Sequence, residues 1–368
     1  PCGTINVTYT VTDDCGNSSS TTVTLTFDDG TIPDLSNCSV TDQTVECAGD
    51  GNEQLANDWN ANNIADLETC ADDLGITVTS DYDFANLVPS CGQAGSIAVT
   101  YTITDDCGNA TTLSATLTIE DTTDPTFTVP AGITIECDQD PTDLTLTGDV
   151  TDEADNCSVN TLEATYTDSV ADGSCANESV ITRTWTLVDD CGNETNLVQT
   201  INVVDTTAPT FTVPAGTTIE CDQDPTDLSL TGDVTDEADN CSNGLEATYS
   251  DAVADGSCAN ESVITRTWTL VDDCGNETSL VQTINVVDTT APTFTVPAGT
   301  TIECDQDPTD LSLTGDVTDE NDNCSNGLEA TYSDTVADGS CANESVITRT
   351  WTLVDDCGNE TSLVQTIN

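Results

Sequence analysis

Apolar and polar residues alternate over Ile181-Thr-Arg-Thr-Trp-Thr-Leu187, so that Ile181, Arg183, Trp185 and Leu187 share one face and threonine fills most of the other. Ile97, Val99, Tyr101 and Ile103 repeat the pattern. A period of two, rich in β-branched and aromatic residues, predicts a half-buried strand. The string Asp-Asp-Cys-Gly-Asn follows, its Gly-Asn suited to a tight turn, and Leu197-Val-Gln-Thr-Ile-Asn-Val-Val204 reads as the returning antiparallel strand. Upstream, Phe127-Thr-Val, Thr134-Ile-Glu, Leu144-Thr-Leu, Gly148-Asp-Val and Leu162-Glu-Ala-Thr-Tyr166 read as shorter strands divided by Pro, Gly and Asp. Several short strands in about 83 residues, with no helical period, predict a small antiparallel β-sandwich of immunoglobulin type.

The whole unit recurs. The cysteine of Asp-Asp-Cys-Gly-Asn stands at Cys15, Cys107, Cys191, Cys274 and Cys357, which marks a tandem array. The expected domains are 1–29, the C-terminal part of a truncated repeat; 30–121, a longer variant; and 122–205, 206–288 and 289–368, three close copies. Both ends read as cuts inside a repeat, since the chain stops at Thr-Ile-Asn where earlier copies run on into Val-Val-Asp. In the longer variant Leu55, Trp59 and Leu67 fall on one helical face of Glu53–Leu67, so a short inserted helix is expected there, packed rather than ligand-binding. The expected fold class is all-β: a tandem array of immunoglobulin-like antiparallel β-sandwich domains, each with two disulfides, forming an extended rod.

Composition narrows the chemistry. Against 68 Asp and Glu stand three Lys or Arg and no His, a net charge of -65 over 368 residues. Nucleic acid is disfavoured, because no basic patch exists to neutralise phosphates. Without histidine there is no Ser-His-Asp triad and no imidazole metal site. Carboxylate pairs remain, but small and nearly identical repeats do not suggest one specialised cleft, so no enzyme is expected. The 19 cysteines recur at fixed places without a Cys-x-x-Cys, which favours disulfides and an oxidising, extracellular setting.

Strand direction allocates those cysteines to the two poles of each repeat. The strand before Cys191 starts at the C-terminal pole and ends at the N-terminal one, so Cys175 and Cys191 lie about 33 Å apart and cannot pair. Pairing of first with third and second with fourth is expected: Cys137 with Cys175, Cys157 with Cys191, Cys221 with Cys258, Cys241 with Cys274, Cys304 with Cys341, Cys324 with Cys357, Cys47 with Cys91 and Cys70 with Cys107. Each such bridge stabilises by roughly 3.5 to 4 kcal/mol through loop entropy. Cys2, Cys15 and Cys38 are left without an assigned partner.

The poles also gather acids. The linker residue Asp205, the loop residues Asp233, Asp236 and Asp239 and the turn residues Asp272 and Asp273 are expected at one junction. Their counterparts are Asp121, Asp149, Asp152, Asp155, Asp189 and Asp190, and Asp288, Asp316, Asp319, Asp322, Asp355 and Asp356. Asp and Asn favour turns without any metal. An all-oxygen cluster of such charge, however, suits a hard cation, and Ca²⁺ is the expected cofactor. Arg183, Arg266 and Arg349 each stand two residues before a Trp and are expected to stack on it or to pair with a carboxylate such as Glu220.

The Asp-Thr-Thr-x-Pro openings, the Ile-Glu-Cys-Asp strand ends, the Asp-Asn-Cys-Ser loops and the Thr-Trp-Thr-Leu-Val-Asp-Asp-Cys-Gly-Asn strands together resemble the hyalin-type (HYR-like), immunoglobulin-like repeats of very large surface adhesins of the Bacteroidota. Val-Glu-Cys-Ala-Gly-Asp-Gly-Asn-Glu-Gln-Leu-Ala-Asn-Asp-Trp resembles a module found among them. The resemblance implies a cell-surface adhesin or filament exported through the type IX pathway, including adhesins that gliding cells move along their surface. It also implies O-glycosylation at Asp-[Ser/Thr]-x motifs, here on Thr122, Ser169, Thr206, Thr289 and Thr335. The expected function is a stalk or filament segment. Its partners are other repeats of the chain, laterally associated copies, and a surface or polysaccharide target held by domains outside these residues; nucleic acid and membrane insertion are not expected. The alternative is an array in which each repeat itself binds glycan or ice.

Overall fold

The computed structural model describes residues 2–70, 75–341 and 343–368. Residues 206–288 show the plan. Thr217–Glu220, Glu277–Val287, Ser262–Val271 and Thr248–Asp255 form a four-stranded sheet in that order. The two long strands are antiparallel, with Trp268 opposite Leu280 and Ile264 opposite Ile284. The first pair is parallel, Ile219 lying beside Val286, so the sheet is not wholly antiparallel as the sequence suggests. Thr210–Thr212 and Thr235–Ala238 make a second, two-stranded sheet.

The inward faces of these strands build the core. Phe211, Trp268 and Leu270 pack with Val213, Leu228, Val234, Leu245 and Ala247, and Phe127 with Trp185, and Phe294 with Trp351, do the same in their repeats. Arg266 is fully buried in this core. Its guanidinium grips Asp251 through two bonds of 2.8 Å, donates to the Pro225 carbonyl and Thr231 hydroxyl, and lies 3.9 Å from the Tyr249 ring centre. Its nearest partners are thus Asp251 and Tyr249, the Trp268 ring centre lies 5.8 Å away as the sequence suggests, and Glu220 serves elsewhere. A buried cation with all three nitrogens donating and a carboxylate beside it is tolerable, whereas one left unpaired is not.

Two local expectations change. Leu144–Thr147 is a single helical turn rather than a strand, with counterparts at Leu228–Thr231 and Leu311–Thr314. Asp143 caps it by accepting from the Thr145 N–H, and Gly148 closes it at φ 88°, a left-handed conformation that favours glycine. The next strands accordingly start later, at Thr151–Ala154 and Thr165–Asp172. The inserted helix of the longer repeat spans Asn52–Cys70 and buries Ala56, Trp59, Asn63 and Leu67, with the Trp59 indole donating to the Thr41 carbonyl at 2.9 Å.

Among the described residues six bridges join neighbouring repeats instead of closing within one, and only Cys38–Cys70 lies inside a repeat. Cys47 joins Cys157, Cys91 joins Cys191, Cys137 joins Cys241, Cys175 joins Cys274, Cys221 joins Cys324 and Cys258 joins Cys357, with Cα separations of 5.0 to 5.9 Å. Cys70 joins Cys38 instead of Cys107. Among the described residues Cys2, Cys15, Cys107, Cys304 and Cys341 are free, so neither Cys304 with Cys341 nor Cys70 with Cys107 forms.

Sheet order explains the difference. Cys221 follows the edge strand Thr217–Glu220, and Cys258 lies beyond Thr248–Asp255 at the opposite edge. Strands stand about 4.8 Å apart, so the two are some 10 to 14 Å apart, past the roughly 7 Å limit for a bridge. Cys241 and Cys274 stand closer, since the Asp273 N–H donates to Ser242 Oγ at 3.2 Å, but their sulfurs are bonded to Cys137 and Cys175 of the preceding repeat. Each of the twelve cysteines in the six bridges between repeats is at its expected pole, but its partner belongs to the neighbouring repeat.

By compactness the chain divides into two units: Pro1–Thr134 with Asp140–Ala171 and Val180–Asn202, and Ile135–Gln139 with Asp172–Ser179 and Val203–Asn368. The second unit takes from the third repeat the two segments that carry Cys137 and Cys175, whose partners Cys241 and Cys274 it contains.

Candidate functional site

The residues around each repeat boundary recur as a set. After residue 205 the turn Asp272–Asn276 closes on itself: Asp272 Oδ1 accepts from the N–H groups of Cys274 and Asn276, both at 2.8 Å, and Oδ2 from the Asn276 amide at 2.8 Å. The same amide donates to the Asp205 carbonyl at 3.1 Å, tying turn to linker. Thr206 donates its N–H and its hydroxyl to Glu136, at 3.1 and 2.5 Å. Thr122 on Glu46 and Thr289 on Glu220 repeat that clamp.

Behind the clamp sit two incompletely satisfied acids. Asp205 is 4 % exposed; Oδ1 accepts a long bond of 3.3 Å from the Thr207 N–H, and Oδ2 is buried without a partner. Asp239 accepts through Oδ2 from the N–H groups of Cys241 and Ser242, at 2.8 Å each, and its Oδ1 is likewise buried and bare. Asp121 with Asp155, and Asp288 with Asp322, present the same two bare oxygens. Buried polar atoms are seldom left so, and three repetitions point to a missing ligand or proton.

Electrostatics separate the members. Burial pushes Asp205 above its usual value, and the charges of Asp239, Asp272 and Glu136 add to it. Asp121 and Asp288 are raised by the same combination. Burial also opposes ionisation of Asp272, but bonds from Asn276, Cys274 and Gly275 outweigh it and hold that carboxyl low. At the first boundary Asp29 is low instead, because the hydroxyl and N–H of Thr31 donate to it and the longer repeat has no Asp-Asn-Cys loop to bring a second acid.

Of the acids expected here, Asp121, Asp155 and Asp189, Asp205, Asp239 and Asp272, and Asp288, Asp322 and Asp355 fall in these sets. The others are engaged locally. Asp149, Asp233 and Asp316 accept from the next residue's N–H, and Asp152, Asp236 and Asp319 from threonine hydroxyls. Asp190 accepts from Asn160 and Val159, the Asn160 side chain chiefly lowering it, while Asp273 and Asp356 are exposed. Sequence reasoning missed Glu46, Glu136 and Glu220, and the second bond of the turn asparagine. Their fixed place in Ile-Glu-Cys and in Asp-Asp-Cys-Gly-Asn was the available signal.

An Asp205 carboxylate oxygen and the sulfurs of Cys137 and Cys241 lie within 4.8 Å of one another. Those sulfurs are spent in a disulfide, so the donors on offer are oxygens alone, and the set fits a hard cation. Ser169 and Thr335 are exposed on their strands, whereas the hydroxyls of Thr122, Thr206 and Thr289 are occupied by the glutamates.

Fold and junctions define a tandem array of β-sandwich repeats stapled to one another by disulfides. The family described as HYR-like domain with 4 cysteines matches residues 209–286 and 292–368, so two tandem repeats are similar to HYR-type domains. No curated protein matches the chain. Among solved structures, the chain is similar to protocadherin gammaB7 EC3-6 at 13% identity, covering 81% of this chain and 94% of that one with a TM-score of 0.28. It is also similar to human CDH23 EC21-23 (15%, 67% and 100%, TM-score 0.26) and Drosophila N-cadherin EC1-4 (14%, 80% and 92%, TM-score 0.23). At these scores the likeness carries no functional weight.

Proposed function

We propose that the chain is a structural segment of a large extracellular adhesion protein, its five sequence repeats serving as modules that space a binding domain from a cell surface. The observation that supports this is the recurring junction, where linker, turn and loop are tied together instead of being strung on a free linker. The repeat resemblance extends the proposal to a Bacteroidota surface adhesin, exported by the type IX route and used in adhesion or gliding. In that setting copies associate laterally, further domains hold the surface or polysaccharide target, and O-glycans sit most readily on the exposed Ser169 and Thr335.

Calcium completes the junction in this reading. Asp205 Oδ2 and Asp239 Oδ1 supply two bare oxygens, with Asp272 and Glu136 adding negative charge nearby; Asp121 with Asp155, and Asp288 with Asp322, do the same. Ca²⁺ takes 6 to 8 oxygen ligands and, when bound, supplies the positive charge these groups lack. Elemental analysis should find about three calcium ions per chain, one per complete junction. Chelation at constant ionic strength should raise flexibility in small-angle scattering while the disulfides and cores persist. A chain free of calcium whose scattering ignores chelator would mean that the bare oxygens hold a proton instead.

A further inference from the structure

Among the described residues, six of the seven disulfides obey one rule. The cysteine after Ile-Glu or Val-Glu in one repeat joins the Asp-Asn-Cys of the next, as in Cys47–Cys157, Cys137–Cys241 and Cys221–Cys324. The third cysteine joins the Asp-Asp-Cys-Gly-Asn of the next, as in Cys91–Cys191, Cys175–Cys274 and Cys258–Cys357. Sequence separations run from 99 to 110, so each loop is longer than a repeat and successive loops overlap.

Overlap creates a covalent short cut. From Cys47 it crosses to Cys157, follows the chain to Cys175, crosses to Cys274, returns along the chain to Cys258 and crosses to Cys357. The peptide on that route is about 34 residues, or about 120 Å fully extended, against about 310 residues and 1,050 Å along the backbone. Part of it, Ser262–Val271, is already an extended strand. A second route, through Cys137–Cys241, is only about three residues longer, roughly 10 Å.

We infer that this ladder is a tension-carrying device: pulled end to end, the chain passes force through disulfides and short peptide segments, and repeats cannot lengthen the tether by unfolding. Ordinary tandem sandwiches extend when one domain opens, because nothing but non-covalent contact holds its strands. Here the length is fixed covalently whether or not the sheets survive. The inference stands on connectivity and is independent of calcium and of any adhesion target.

Single-molecule stretching of the full chain between terminal handles tests it. In oxidised protein the contour between Cys47 and Cys357, after subtracting the flanks, should stop near 120 Å and rise toward 1,050 Å once a phosphine reductant is admitted. Replacing Cys175 and Cys274 by serine should add only about 10 Å, since the second route remains. Removing Cys137 and Cys241 as well should add about 210 Å, the opening of a whole junction. A contour near 520 Å in the oxidised chain, the value for bridges closed inside each repeat, overturns the inference, as does a length that reductant leaves unchanged.

Discussion

Asp205 and Asp272 carry the same side chain at the same junction and titrate in opposite directions. Asp272 is ringed by donors, whereas Asp205 meets burial, other acids and one long bond. Without a cation, the proton on Asp205 favours folding below the unfolded value near 3.8, and that contribution is lost as pH rises through the raised folded value. Asp272 does the reverse: its contribution is present above 3.8 and lost as pH falls through its lowered value. A cation on the Asp205 oxygens must therefore compete with a proton, so calcium affinity should weaken as pH drops toward the raised value. Asp205→Asn should reduce bound calcium from about three to two ions per chain and leave the calcium-free protein no less stable at pH 7. Calorimetric titration reads both; an undiminished stoichiometry rules out Asp205 as a ligand.

At the scale of elements, the strand Ser262–Val271 is legible from its alternation, and Ile264, Arg266, Trp268 and Leu270 on its inner face are buried as the period requires. The arginine on that face was legible as a position but not as a contact. Asp251 lies opposite it on the neighbouring strand Thr248–Asp255, a register no sequence period fixes. Likewise Leu228–Thr231 reads as a strand by composition, yet Asp227 and Gly232 close it into a helical turn, with the ring of Pro214 filling the space where a Cβ on Gly232 would stand. Asp251→Ala leaves the fully buried Arg266 without its carboxylate and should destabilise its repeat by about 3 to 5 kcal/mol. Replacing both Arg266 and Asp251 by leucine should cost much less, because no lone charge remains. Thermal unfolding of the two variants compares them directly, and equal losses would mean that packing, not charge, sets the cost.

For the whole molecule the bridging rule reaches one step further. It pairs Cys2, the third-type cysteine of the first repeat, with Cys107, and the two thiols are in contact: Cys2 Sγ donates to the Asp106 carbonyl at 3.2 Å, and the hydrogen bond with Cys2, then burial, pushes the Cys107 thiol up to about 11. In an oxidising compartment these thiols should exchange with a disulfide donor, giving up two protons and two electrons to form an eighth bridge, slowly at neutral pH because little thiolate is present. Peptide mapping of non-reduced protein should recover Cys2 linked to Cys107; both thiols free in fully oxidised material would limit the rule to complete repeats. Each bridge between repeats closes a loop of about 100 residues, worth about 4.7 kcal/mol in the chain-entropy model and less in sum where loops overlap.

The sequence by itself determined the recurrence of the unit, the long alternating strands, the pole of the cysteines that bridge neighbouring repeats, and the exclusion of imidazole chemistry, because period and composition are local or countable properties. It did not determine the partners. Four cysteines belong to one junction, Cys137 and Cys175 from one repeat and Cys241 and Cys274 from the next, and four cysteines admit three pairings that spacing cannot distinguish. Tertiary packing decided, by setting Cys221 and Cys258 at opposite sheet edges and bringing the neighbouring repeat's cysteines within bonding reach. The same holds for the acids: charge told that they gather, but only the packed junction separated those with bare buried oxygens from those spent on threonine hydroxyls and backbone N–H groups.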